Sequence, residues 1–344
     1  MRFKSFIKAL VAIASIALIL VSVFGTQPLK LIPFVGDAAP KNSLTNLEGD
    51  DGPVLVVKID DTSNAHPQVG LESADVVYIE QVEGGLTRLA AVFSSKIPAT
   101  VGPVRSARIS DIELFAQYGK VAFAYSGAQQ RMLPVIASAN LHDAGATHYG
   151  PTYYANESNR VAPYAMMLNA SALMEKVLSS DSTIVTSKPM GWTFGDLAQE
   201  GSTFSSVHLS WPAASYDIKW SAQEHRWLLN HNGVSDLNDQ GYQLGPKTFV
   251  IQMVSVTDSI YHDKVGGVTP LIATVGEGDC YILRDGVVIS GHWSRSASDS
   301  GTTFTTAAGD VIPFDAGQIW FALLSKSPVF QGLTSQDATG ASTK

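Results

Sequence analysis

Short β-branched runs separated by polar connections recur along most of this chain. Val54-Leu55-Val56-Val57-Lys58-Ile59 is apolar on both faces apart from one lysine, which predicts a buried strand. Val76-Val77-Tyr78-Ile79, Leu86 to Phe93 and Val121-Ala122-Phe123-Ala124-Tyr125 repeat the pattern. Helical signals fall between some of these runs. Ser110-Asp111-Ile112-Glu113 reads as a capping box, with Ser110 as N-cap, and predicts a helix to Tyr118 that stops at Gly119. A second helix is expected near Ala128, delayed or kinked by Pro134, and a third over 169–178.

Beyond residue 200 the pattern is mainly β. Tyr216 to Trp220 alternates, Asn232-Gly233 and Asp285-Gly286 are turn signals, and Thr248 to Val256 and Ile319 to Leu324 are long apolar runs. The fold class is α+β: an α/β-type domain over 51–195, then a β-rich domain over 196–326. Residues 327–344 turn polar and read as a frayed tail.

The first residues set the compartment. Arg2, Lys4 and Lys8 precede an apolar run from Ala9 to Phe24, the order of a signal peptide or signal anchor over 1–25. The charge bias places the N-terminus inside and the body outside the membrane. Residues 26–50, with three prolines, read as a tether. No cysteine directly follows the apolar run, which speaks against a lipid-modified N-terminal cysteine.

Composition narrows the function classes. The net charge of −8 disfavours nucleic acid as a partner, because phosphate neutralisation needs clustered Lys and Arg. One cysteine, Cys280, excludes a disulfide scaffold and a zinc ribbon. No cofactor motif is present, and Asp60, Asp61, Ser63, Asn64 and His66 do not match a calcium loop. Tyr125-Ser126-Gly127 sits where a nucleophile elbow would, without the Gly-x-Ser-x-Gly pattern. The six tryptophans all follow residue 190 and suit either a β core or an aromatic glycan platform.

Arginine is the sharpest signal. Five fall between 88 and 160: Arg88, Arg105, Arg108, Arg131 and Arg160. With Ser106, four of them (Arg88, Arg105, Arg108 and Arg160) are candidate ligands for an anion near the start of the predicted 110–118 helix. The alternative is an internal ion network with the nearby acids. Glu80, Glu83 and Asp111 are candidate acid/base residues, since paired carboxylates serve glycoside cleavage.

Several motifs carry a family resemblance: Ala65-His66-Pro67-Gln68-Val69-Gly70-Leu71, Glu83-Gly84-Gly85-Leu86-Thr87-Arg88, Gly102-Pro103-Val104-Arg105-Ser106-Ala107-Arg108, Arg160-Val161-Ala162-Pro163 and Gly291-His292-Trp293-Ser294-Arg295. Together they resemble the YerB-like family of bacterial cell-surface lipoproteins, over roughly residues 51–326. The chain departs from that pattern in lacking the lipobox cysteine and in carrying Tyr164-Ala165 where members often have His-Asn. The resemblance implies two domains and an extracytoplasmic location, tethered to the plasma membrane or secreted. The expected role is binding an anionic envelope component, such as a phosphate- or carboxylate-bearing glycan, through the arginines. The alternatives are an enzyme acting on wall glycan or on a lipid-linked phosphate-sugar precursor, and a protein-interaction scaffold.

Overall fold

The computed structural model describes residues 39–198 and 201–333. The apolar run at 9–24 and residues 334–344 lie outside the described residues.

Strands dominate. At the centre of an 11-stranded sheet stand β1 (Leu55–Asp60), β2 (Val76–Gln81) and β3 (Thr87–Phe93), with β3 antiparallel to both neighbours. Val121–Ala124 and then Leu141–Asp143 extend the β1 side in parallel. Ile319–Leu324 pairs in parallel with β2, and Thr248–Met253 pairs in parallel with it in turn. The antiparallel strands Gly276–Arg284, Val287–Arg295 and Thr303–Thr305 follow.

Every residue of β1 and β3 is buried, because both faces of the sheet are covered. Val56, Tyr78, Ala90 and Val92 pack against helix α1 (Ile109–Ala116) through Leu114 and Phe115. Leu55, Val57, Ile59 and Leu89 share the opposite core with a second sheet, contributing Leu209, Tyr216, Trp227 and Leu229, and with the Ala170–Ser180 helix. That periodicity of two sends consecutive residues to opposite sides. Asp60 and Asp61, at the end of β1, therefore serve different polar clusters.

Several expectations need correction. The α/β alternation expected over 51–195 is only partly realised, since the described helices are few and the central strands are antiparallel. The main sheet draws strands from both sides of residue 195, the expected domain boundary: Ile319–Leu324 fills the space between β2 and Thr248–Met253. A single proteolytic cut at that boundary is accordingly expected to leave two fragments that co-elute under native conditions. Fragments that separate and each stay folded would contradict this.

Residues 40–50 are no tether. Asn42, Leu44 and Thr45 are buried, and the Gly317 N–H donates to the Thr45 carbonyl at 2.8 Å. Within the expected tail, Val329–Gln331 adds an edge strand beside Ser206–Trp211. The N-cap of α1 is Arg108 rather than Ser110, and its backbone N–H donates to Asp111 Oδ2 at 2.5 Å. Ser110 and Glu113 turn instead to the hairpin of Val256–His262 and Val268–Ile272. Ser110 Oγ accepts the Ile272 N–H, and Glu113 Oε1 accepts those of Thr274 and Val275. An exposed cap had less to satisfy than the backbone of a strand laid across the helix.

Trp192, Trp211, Trp227, Trp293 and Trp320 are buried, which makes them core residues and not a glycan platform. Cys280 is also core, and burial pushes its thiol up to about 12. A thiol reagent is expected to label Cys280 only after denaturation; labelling of the native protein would show the strand opening.

Candidate functional site

The Gly102–Arg108 run is stitched between two parallel strands. Asp60 N–H donates to the Pro103 carbonyl and Arg105 N–H to that of Lys58, while Ser126 and Ala107 close the other side through Arg105 O and Gly127 O. The run therefore crosses the carboxyl ends of β1 and Val121–Ala124, the edge where open α/β sheets place ligands. Opposite it, the Glu83-Gly84-Gly85 turn supplies a carboxylate. Gly84 and Gly85 both have positive φ, and a Cβ on Gly85 would stand 2.3 Å from Pro212 Cβ, so the turn requires glycine there.

Between them lies a cleft of about 700 Å³ lined by Glu83, Arg88, Arg105, Ser106 and Arg108, with Gln129, Gln130 and Met132 on one wall and Tyr261 to Val265 on the other. Arg105 Nε lies 2.5 Å from Asp60 Oδ2, and its guanidinium carbon sits 5.8 Å from the centre of the Tyr164 ring. Tyr164, one of the positions departing from the family pattern, thus supports an arginine. Arg108 donates through Nε and Nη2 to Glu83 Oε2, at 2.8 and 2.6 Å. The Thr269 hydroxyl, from the hairpin, donates to the other Glu83 oxygen. Burial opposes ionisation of Glu83, but Arg108 holds its carboxyl below the usual range.

Arg88 differs from both. Its side chain is 8% exposed, and Nη1 donates to the Ser106 carbonyl at 2.9 Å, with no ion-pair partner among the described residues. Burial, and then the charges of Arg108 and Arg105, push it down to about 9. Arginine keeps its proton at neutral pH all the same. Its guanidinium charge is therefore poorly compensated, beside two arginines whose carboxylates are already engaged.

The candidate acids diverge. Glu80 and Asp111 both meet Lys58, whose Nζ lies 2.5 Å from Glu80 Oε1 and 2.7 Å from Asp111 Oδ1, all three essentially without exposure. Burial, against the pull of Lys58, raises the Glu80 carboxyl. Of the three, only Glu83 reaches the cleft, and Arg108 and Thr269 occupy it, so these candidate acids form no open pair. Of the arginines, Arg88, Arg105 and Arg108 converge with Ser106. Arg160 lies elsewhere, holding the Ala65 and Pro67 carbonyls and Glu157. Arg131 is exposed on the surface.

A second cluster escaped the sequence reading. On the far face of β1, Asp61 stands with His66, His231, Asp236 and Tyr216. Asp61 and His66 were visible as a polar turn after a strand. Their partners come 155 to 170 residues later and carried no local signal.

Comparison with known proteins gives consistent matches. Residues 43–183 match the N-terminal domain, and residues 207–321 the C-terminal domain, of a protein family of unknown function, DUF3048. YerB of Bacillus subtilis (strain 168), named as a candidate lipoprotein, is 52% identical over 56 residues, which is 16% of this chain and 17% of that relative's length. The crystal structure of YerB protein from Bacillus subtilis superposes with a TM-score of 0.71 at 19% identity, covering 84% of this chain and 99% of that one. The two share a fold.

Proposed function

This chain belongs to the DUF3048 family, and on that premise we propose that it is an exported envelope protein that binds an anionic component through Arg88, Arg105 and Arg108. The N-terminal apolar run with its basic flank and the likeness to a candidate lipoprotein support the location. The observation that carries the binding reading is Arg88, a nearly buried guanidinium with no ion pair among the described residues, opening on a cleft between two arginines that are already paired. An anion placed there would relieve that charge with charge-assisted hydrogen bonds. A phosphate or carboxylate on an envelope glycan has the required chemistry. The sealed state of Glu80 and Asp111 favours binding over acid/base cleavage.

Calorimetric titration with inorganic phosphate, pyrophosphate, a phosphate-bearing wall polymer and a carboxylate-bearing glycan tests this. Saturable binding to one class, weakened by salt, is expected. Absence of binding to all four at physiological ionic strength would leave the arginines as an internal network and favour the scaffold.

A further inference from the structure

Asp61 points away from the arginine cleft into the histidine cluster. His66 Nε2 lies 3.6 Å from Asp61 Oδ1, and His231 Nε2 lies 3.9 Å from Asp61 Oδ2. We propose that Asp61, His66 and His231 bind one divalent transition-metal ion of the zinc class. Two imidazoles and a carboxylate are a donor set such ions take. Bonds of about 2.0–2.2 Å in a tetrahedron set neighbouring donors roughly 3.3 Å apart. The two separations to Asp61 exceed that by a few tenths of an ångström, each to a different oxygen, and the three donor atoms lie within 4.8 Å of one another, so the cluster must contract around an ion.

The surroundings are those of a supported site. Asp236 Oδ1 stands 3.0 Å from His66 Nδ1, the carboxylate–histidine arrangement that orients a metal-bound imidazole. The Tyr216 hydroxyl donates to Asp61 Oδ1 at 2.7 Å, with the Gln68 amide at 3.4 Å, and the Thr87 hydroxyl donates to Oδ2 at 2.6 Å, which leaves Oδ2 a further lone pair. His66 also lines a cavity of about 990 Å³ with Asn64, Pro67 and Asp239, so solvent or a small ligand has a path to a fourth position.

The rival is a metal-free ion cluster in which a protonated His66 bridges Asp61 and Asp236. That arrangement leaves His231 Nε2, Asp236 Oδ2 and Gln68 Oε1 buried without a hydrogen-bond partner. His231 is 4% exposed, and its free nitrogen faces Asp61. The His66 and His231 rings are stacked, 4.5 Å between centroids and 9° between planes, so sharing an ion requires one to turn. His231 is the one that turns, because its Nε2 has no hydrogen bond to lose, while His66 is held by Asp236 at Nδ1 and has only to exchange the Gln68 amide, 3.1 Å from its Nε2, for the ion.

Untagged protein, treated with chelator and then titrated with Zn²⁺ and Co²⁺, is expected to bind one equivalent. Co²⁺ should develop the visible absorption of a nitrogen–oxygen site. His231→Gln should weaken binding at least 100-fold, and Asp236→Asn by 10- to 100-fold. Arg88→Gln should leave it unchanged, because the arginine cleft lies on the other face. No saturable binding by the wild type, or a His231→Gln protein that melts cooperatively and binds as the wild type does, would overturn the site. If the variants fail to fold, the wild-type stoichiometry and Co²⁺ spectrum decide.

Discussion

Lys58→Ala is expected to destabilise the protein by about 3–5 kcal/mol, the range found when one partner of a buried ion pair is removed. Lys58 is fully buried between two carboxylates, and alanine would leave both facing each other without water. Against a total stability of about 5–15 kcal/mol, this is a large fraction. Thermal melting checks it, and a shift of under two degrees would show the triad to be dispensable. Glu80→Gln should behave differently. The folded state raises the Glu80 carboxyl, so it holds that proton to higher pH than the unfolded chain does. The native state therefore binds more protons above the ordinary value of 4.5, and stability falls as pH rises through that window. Glutamine is permanently neutral and should remove that part of the slope, seen as a smaller difference in melting between pH 5 and pH 8.

Arg88→Gln is expected to reduce anion affinity about 10- to 100-fold, corresponding to a charge-assisted hydrogen bond of about 1.5–3 kcal/mol. Little stability should be lost with it, because among the described residues no carboxylate depends on Arg88 as an ion-pair partner. The double change Arg105→Gln with Arg108→Gln is a poorer probe. It strips Asp60 and Glu83 of their counter-charges, so melting and binding would fall together. A loss of binding confined to that double variant, with Arg88→Gln binding normally, would move the site away from Arg88.

The strands were legible because burial on both faces leaves continuous apolar runs, and Ile319 to Leu324 matches its strand end to end. The arginine run was legible as a cluster. Its ion pairs were not, since Asp60, Glu80, Glu83 and Asp111 were all near enough in sequence to be partners, and strand side and turn geometry alone decided among them. Ser110 and Glu113 had the spacing of a cap, but the hairpin covering them begins at residue 256. His66 offered no reason to look for Asp236, because contacts across 170 residues leave no period in the sequence.

The placement of Ile319–Leu324 also sets a timetable for maturation. β2 keeps one edge bare until residue 319 has been made and threaded into the gap. An emerging N-terminal half presents a complete-looking core with an unpaired apolar margin, which another copy can extend as readily as the proper strand. Pairing over such a span is slow by topology. The quantity at risk is yield: the concentration of incomplete chains, and the time each spends waiting for its own Ile319–Leu324 strand, decide how many molecules assemble alone.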